Sequence, residues 1–190
     1  NIVEDDDDWR VDVGGTPTGS TGPKVDNTTG TNTGKYLYIE SSFIFNRVSN
    51  LITPCIDLDQ ISIGILEFYY HMKGDSMGTL SVDISTNNGF SWTRLWSLSG
   101  QQQESQDDPY RKAEVSLIGY DGIVQLRFQG AAGPFYYSDI AIDDVSIYEA
   151  PTNDLAVTGA SVNANGCLLS AAEPVNILVA NLGANIQTGF

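Results

Sequence analysis

Two adjacent carboxylates, Asp143 and Asp144, close the apolar run Ile140-Ala141-Ile142, and theirs is the most pointed chemistry in the chain. Side chains alternate across a strand, so one of the two is expected to turn toward the interior, where an ionised carboxylate needs a cation or several hydrogen-bond donors. A second acidic run, Glu4 to Asp8, offers the hard oxygen ligands that calcium takes, or simply a solvated, mutually repelling surface. The one histidine, His71, is the residue a Ser-His-Asp triad would have to use. It lies among Tyr69, Tyr70 and Met72, where a structural imidazole is the simpler reading. No P-loop and no Gly-x-Gly-x-x-Gly occurs, so nucleotide chemistry has no foothold.

Aromatic residues offer a different chemistry, that of contact. Trp92 and Trp96 share parity at i and i+4, which places both on one face of a strand, either as core anchors or as a platform for stacking sugars. Leu98 has the same parity and favours the core; Thr93, Leu95 and Ser97 make up the other face. Tyr136 and Tyr137 follow Gly133-Pro134 and are expected in a loop as an exposed contact. Asn27-Thr28-Thr29 matches a glycosylation sequon and equally an ordinary Asx turn.

The elements that position these residues read as strands. Helical periodicity is hard to find, whereas short alternating or β-branched runs recur between Gly, Asn, Asp and Ser clusters, the pattern of an all-β sandwich. Strands are expected at Lys35 to Glu40, Ile63 to Met72, Thr79 to Ser85, Thr93 to Leu98, Arg111 to Ser116, Ile123 to Gln129 and Ile140 to Tyr148. Thr86-Asn87-Asn88-Gly89 supplies a hairpin turn, because Asn-Gly accepts positive φ. Residues 12 to 34, rich in Gly and Thr, read as a long ordered loop or a flexible linker, and Gly100 to Pro109 as a second loop. Ala150-Pro151-Thr152-Asn153 reads as a linker, and Asp154-Leu155-Ala156-Val157 opens a second module.

Charge narrows the partners. Against 9 basic residues stand 24 acidic ones, a formal charge of -15, and no Lys or Arg follows Arg127. Such a balance repels phosphate backbones and anionic lipid heads, so neither nucleic acid nor membrane insertion is expected, and cations become the natural small partners. Cys55 and Cys167 lie too far apart in sequence to suggest a zinc knuckle or a redox pair.

In order along residues 5 to 148 stand Asp7-Asp8-Trp9, Gly22-Pro23 with Asp26-Asn27-Thr28-Thr29-Gly30, Lys35-Tyr36-Leu37-Tyr38-Ile39-Glu40, Leu66-Glu67-Phe68-Tyr69-Tyr70-His71-Met72-Lys73-Gly74 with Met77-Gly78-Thr79-Leu80, and Asp139-Ile140-Ala141-Ile142-Asp143-Asp144-Val145. This succession resembles the MAM family, named for meprin, the A5 antigen and receptor tyrosine phosphatase mu. The resemblance implies a jelly-roll β-sandwich of two antiparallel sheets over residues 1 to 149, with a first strand carrying Phe-Glu upstream of Asn1. It also implies one structural calcium ion, with Asp26 and Asp143 as side-chain ligands and Asp144 as a third. The family's Asp-His-Thr is Asp26-Asn27-Thr28 here, and its disulfide cysteines are absent apart from Cys55, as in sequences that look bacterial. The Glu-x-Asp-x-x-Glu strand of sandwich glycoside hydrolases is also missing, since Glu67 is followed by an apolar-aromatic run.

Residues 153 to 190 resemble the opening half of an immunoglobulin-like domain of the bacterial cell-adhesion-related (CARDB) type, on Asn153-Asp154-Leu155-Ala156-Val157, Gly166-Cys167 and the run Glu173 to Gly183. Strands are expected at Leu155 to Ala160, Val162 to Cys167 and Val175 to Asn181. An apolar strand at Val175 to Ala180 would invite pairing with another chain, and Cys167 is expected to be free. Taken together, the resemblances imply a non-catalytic adhesion or accessory module of a larger secreted or cell-surface bacterial protein, with a protein or a glycan as partner. A carbohydrate-binding module and the accessory domain of a secreted peptidase stand as alternatives, and any export signal is expected upstream.

Overall fold

The computed structural model describes residues 7–42, 45–151, 153–162 and 174–181, together with 183, 185, 186 and 188. Among the described residues there are twelve strands and no helix. They run β1 (Arg10–Val13), β2 (Lys35–Ile39), β3 (Val48–Ile52), β4 (Ile56–Asp57), β5 (Gly64–His71), β6 (Thr79–Ser85), β7 (Thr93–Ser99), β8 (Arg111–Ser116), β9 (Ile123–Ala131), β10 (Ile140–Glu149), β11 (Leu155–Val162) and β12 (Val175–Asn181). The chain divides into two units, residues 1–148 and 149–190.

The first unit is a jelly-roll sandwich of two sheets. One has the order β1-β2-β10-β5-β8; the other has the order β3-β9-β6-β7, with β4 also paired to β9. The core lies between them and follows from alternation. Leu66, Phe68, Ile140 and Ile142 from the first sheet meet Leu80, Val82, Ile84, Leu126 and Phe128 from the second, all essentially inaccessible. Phe68 holds it together in edge-to-face contact with Phe128 at 5.1 Å and with Trp96 at 5.3 Å between ring centroids. Burial of each such ring stabilises the fold by roughly 1.5–3 kcal/mol.

The outer faces of the two sheets differ. On the first, Tyr36, Tyr38, Tyr110 and Ala141 form a second apolar cluster with Tyr69, and the fully buried His71 ring lies 5.4 Å from that of Tyr110. The two loops roof this face. The Tyr36 hydroxyl donates to Gly14 O, and Gln103 of the second loop is bonded to Met72 N and Tyr70 O. The loops also clasp one another, since Gln106 Nε2 donates to Thr21 O and Lys24 pairs with Asp107. The Gly/Thr stretch is therefore an ordered cover rather than a linker. The outer face of the second sheet carries instead a set of polar side chains.

Three strands lie outside those expected: β1, β3 and β4. β1 and β3 are sheet edges and β4 has two residues; Val48-Ser49-Asn50-Leu51-Ile52 also contains Ser and Asn, weak strand formers. The expected turn is present, with positive φ at Asn88 and Gly89 and Phe90 N donating to Asn87 O. The ladder resumes further out, at Ile84 opposite Thr93, because Ser85 Oγ and Asn87 Oδ1 take the intervening amides of Gly89 and Ser91.

In the second unit β11 and β12 form an antiparallel pair with a register shift between Val157 and Gly159. Val162, expected to open a middle strand, ends β11 instead. The remainder of that strand, with Cys167, lies outside the described residues.

Candidate functional site

The loop that follows β1 brings Asp26 toward the middle of β10, where Asn27 bonds Asp143 and Asp144. Asp26 is buried under Gly34, where any side chain would collide with its carboxyl group. Its two oxygens accept hydrogen bonds from Thr29 N at 2.8 Å, Thr29 Oγ1 at 2.7 Å and Thr31 N at 3.0 Å. Burial pushes this carboxyl up, and the Thr29 and Thr31 bonds outweigh it, holding the group below its ordinary pKa. Asp143 accepts from Asn27 N and from Asp144 N, while Asp144 accepts from Asn27 Nδ2 and Thr28 Oγ1. Burial raises the Asp143 carboxyl, helped by the charges of Asp144 and Asp26.

The structure thus brings the three aspartates to one loop, but neither member of the pair enters the core. Asp144 has φ +48°, a left-handed conformation that Asp tolerates. It acts as an inserted residue: Ile140 and Ile142 face the core before it and Ile147 after it, an odd step. The expectation of an inward carboxylate fails because this bulge absorbs the alternation. All six carboxylate oxygens already accept a hydrogen bond, and no group of three acidic, His or Cys side chains among the described residues is placed to hold an ion. This donor set forms a hydrogen-bonded clasp between the loop and β10.

A second surface lies on the connection from β9 to β10. Phe135, Tyr136 and Tyr137 are 62%, 44% and 44% exposed, three large rings in succession. The backbone beneath them is fixed. Ser41 Oγ donates to Tyr136 O, Ser76 N to Tyr137 O, and Ser138 Oγ accepts from both Gly78 N and Gly133 N. Phe45 packs edge-on against Tyr136 at 4.9 Å. Exposed aromatic side chains on a rigid support lose little freedom when a partner covers them.

A third surface is the open face of the second sheet. In register across it lie Ile52, Arg127, Asp83 and Arg94 in one row, and Asn50, Gln129, Ser81 and Ser97 in the next. The buried Asp83 carboxylate takes Arg94 Nε on one oxygen and Arg127 on the other, Nη2 at 2.6 Å and Nε at 3.0 Å. Arg94 extends to Ser81 Oγ and Gln129 Oε1, and Gln129 to Asn50 Oδ1. Trp92 covers the Arg127 guanidinium at 4.6 Å, a cation–π contact.

The two tryptophans therefore do not share a face. The pairing of β6 with β7 shifts between Val82 and Asp83, so Trp96 lies opposite Val82 and Arg94 opposite Asp83, with Leu95 as the extra residue. Leu95, Trp96 and Leu98 pack against the core, and Trp92 falls on the polar face. The Asp83–Arg94–Arg127 cluster was not among the candidates drawn from the sequence. Its signal is an Asp among the outward-facing Thr79, Ser81 and Ser85, facing an Arg on each neighbouring strand, which requires the strand order to be known.

The family model described as "MAM domain, meprin/A5/mu" matches residues 2–153. MAM domain-containing protein 2 of Homo sapiens is 35% identical over 154 residues, which is 79% of this chain and 21% of that protein. Neuropilin-1a of Danio rerio is 30% identical over 144 residues, 74% of this chain and 15% of its own length. The chain thus spans about a fifth or less of these relatives. Among solved structures, the K1 cleaved adhesin domain of Lys-gingipain from Porphyromonas gingivalis W83 is similar with a TM-score of 0.48 and 20% identity, covering 74% of this chain and 90% of that one.

Proposed function

Because the chain belongs to the MAM domain family, we propose that it is a non-catalytic extracellular binding module, making adhesive or accessory contacts for a larger secreted or cell-surface protein of the bacterial kind. The observation that carries this reading is the Phe135-Tyr136-Tyr137 loop, three exposed rings on a backbone held by Ser41, Ser76 and Ser138. Exposed apolar patches of this kind mark interaction sites, and aromatic anchors carry much of the energy of protein interfaces. His71, the one histidine, supports the non-catalytic reading: it is fully buried and beyond reach of a substrate.

A second reading, glycan binding, is favoured by the open polar face. Its Arg94, Gln129 and Asn50 side chains form a pre-ordered row of donors and acceptors beside the Trp92 ring, the combination that sugar hydroxyls and sugar faces require. One experiment separates the two readings. Labelled protein is applied to intact cells and to a glycan array, using wild type, a Phe135→Ser/Tyr136→Ser/Tyr137→Ser variant and Trp92→Ala. Under the first reading cell binding falls at least tenfold in the triple variant and is unchanged in Trp92→Ala. Array binding lost in Trp92→Ala and retained in the triple variant would replace it with the second.

A further inference from the structure

The outward side chains of the second sheet are unbalanced in charge and in hydrogen bonding, and both in the same sense. Of the outward residues paired across β3, β9, β6 and β7, only Asp83, Arg94 and Arg127 are charged. Asp83 serves both arginines, one on each oxygen. The face therefore carries one positive charge without a counter-charge, on a chain whose formal charge is -15.

The hydrogen bonds lean the same way. Both Asp83 oxygens are taken, Gln129 Oε1 accepts from Arg94 Nη2, and Asn50 Oδ1 accepts from Gln129 Nε2. What is left unmet is donors. Arg127 is 6% exposed and its Nη1 is buried with no acceptor, as is Nε1 of the Trp92 ring that stacks on that guanidinium. Arg94 donates Nε to Asp83, Nη1 to Ser81 and Nη2 to Gln129, three of the five N–H bonds of a guanidinium, and stands half-exposed on the edge strand β7. An unmet buried donor on a charged group is costly, so a ligand that brings acceptors and a negative charge is favoured on both counts.

We propose that this face binds a sugar carrying a single carboxylate, of the uronic or sialic acid type, with the carboxylate received by Arg94 beside Trp92. The inference rests on the glycan-binding reading and names the class of sugar within it. A guanidinium presents paired N–H donors that match the two oxygens of a carboxylate. The Trp92 ring is held over Arg127 by stacking, with no hydrogen bond from its own indole nitrogen, so it is the part that gives way. Tilting onto the sugar face, it opens Arg127 Nη1 to an acceptor. One uncompensated charge calls for one carboxylate, and the charge of -15 repels a densely anionic polymer.

The test is an array of oligosaccharides in matched sets, each ending in a hexuronic acid or a sialic acid, as the free carboxylate or as its methyl ester, with neutral and sulfated glycans beside them. The full chain should bind the free acids and lose about 10–100-fold on esterification, the effect of removing one charged hydrogen-bonded contact. The acid bound more tightly identifies the sugar. This arm uses wild-type protein and is independent of how any variant folds. Arg94→Gln should lose as much toward the free acids and no longer distinguish them from their esters, whereas the Phe135→Ser/Tyr136→Ser/Tyr137→Ser variant should bind as wild type does. Binding that esterification leaves unchanged, or that favours neutral or sulfated glycans, would overturn the carboxylated sugar and leave the face a glycan site. Equal binding to oligoglutamate would show that charge alone is read, and would overturn it too. No binding to any glycan would remove the glycan reading itself and this inference with it.

Discussion

A buried side chain without a partner records what the fold tolerates and what it demands, and His71 is the case where it tolerates. Both ring nitrogens are buried and unpartnered, and burial holds the imidazole at about pKa 4, against the opposing pull of the Asp108 carboxylate. The sign follows from linkage. The unfolded chain takes up a proton near pH 6.5 and the folded one near 4, so His71 contributes full stability above 6.5 and loses it as pH falls through that window. Between pH 7 and pH 5 the loss should be ~2 kcal/mol, read as the drop in urea-unfolding free energy of wild type relative to His71→Leu. Referring to the variant matters, since Asp139 titrates nearby with the opposite sign: burial first, and the charge of Glu40 with it, raise its carboxyl to about 6. Equal slopes for the two proteins would show that His71 is hydrogen-bonded and charged in solution. The structural role of this histidine is legible from its apolar and aromatic neighbours in sequence. That Glu40 stands opposite Asp139, one step beyond the pair of Ile39 and Ile140, is not, because it follows only once β2 is known to pair with β10, a strand a hundred residues away.

Among the elements, alternation locates Thr79–Ser85 and Arg111–Ser116 to the residue, since each presents one apolar and one polar face between turn signals. It fails where a residue is inserted. The irregularities at Leu95 and Asp144 each move every later side chain of their strand to the opposite face, and no local sequence pattern announces either. That is why strict alternation puts Trp92 on the face of Trp96 and turns one of Asp143 and Asp144 inward, although both strands lie where the sequence places them. The shift in β7 has an energetic corollary, because it sets Arg94 beside Asp83. Removing the buried carboxylate in Asp83→Ala strands Arg127, itself 6% exposed, and should cost about 3–5 kcal/mol in chemical denaturation. Arg94→Ala, at the half-exposed end of the same cluster, should cost no more than ~1 kcal/mol. Equal losses for the two would mean that Arg94 and not Arg127 carries the pair.

At the scale of the whole molecule the two units present contrasting surfaces. The sandwich hides its apolar residues between sheets, whereas β12 exposes them on both sides, with Ile177 and Leu178 at 58% and 66%. A two-stranded sheet is marginal by itself, and an exposed apolar strand is a template for pairing. We expect the chain to self-associate through this strand, with sedimentation velocity showing a concentration-dependent dimer that Ile177→Lys abolishes; a monomer at all concentrations would refute it. The order β1-β2-β10-β5-β8 carries a further consequence, for synthesis. β10 is the last strand of the sandwich to leave the ribosome, yet it forms the middle of its sheet, between β2 and β5. Until residues 140–149 emerge, β1-β2 and β5-β8 are two separate antiparallel pairs with no strand between them in their sheet, and the half-built core around Phe68 stays open to water. Translation of this domain therefore ends in a single late closure, and a chain truncated before Ile140 should be a substrate for chaperones and proteases rather than a smaller folded protein.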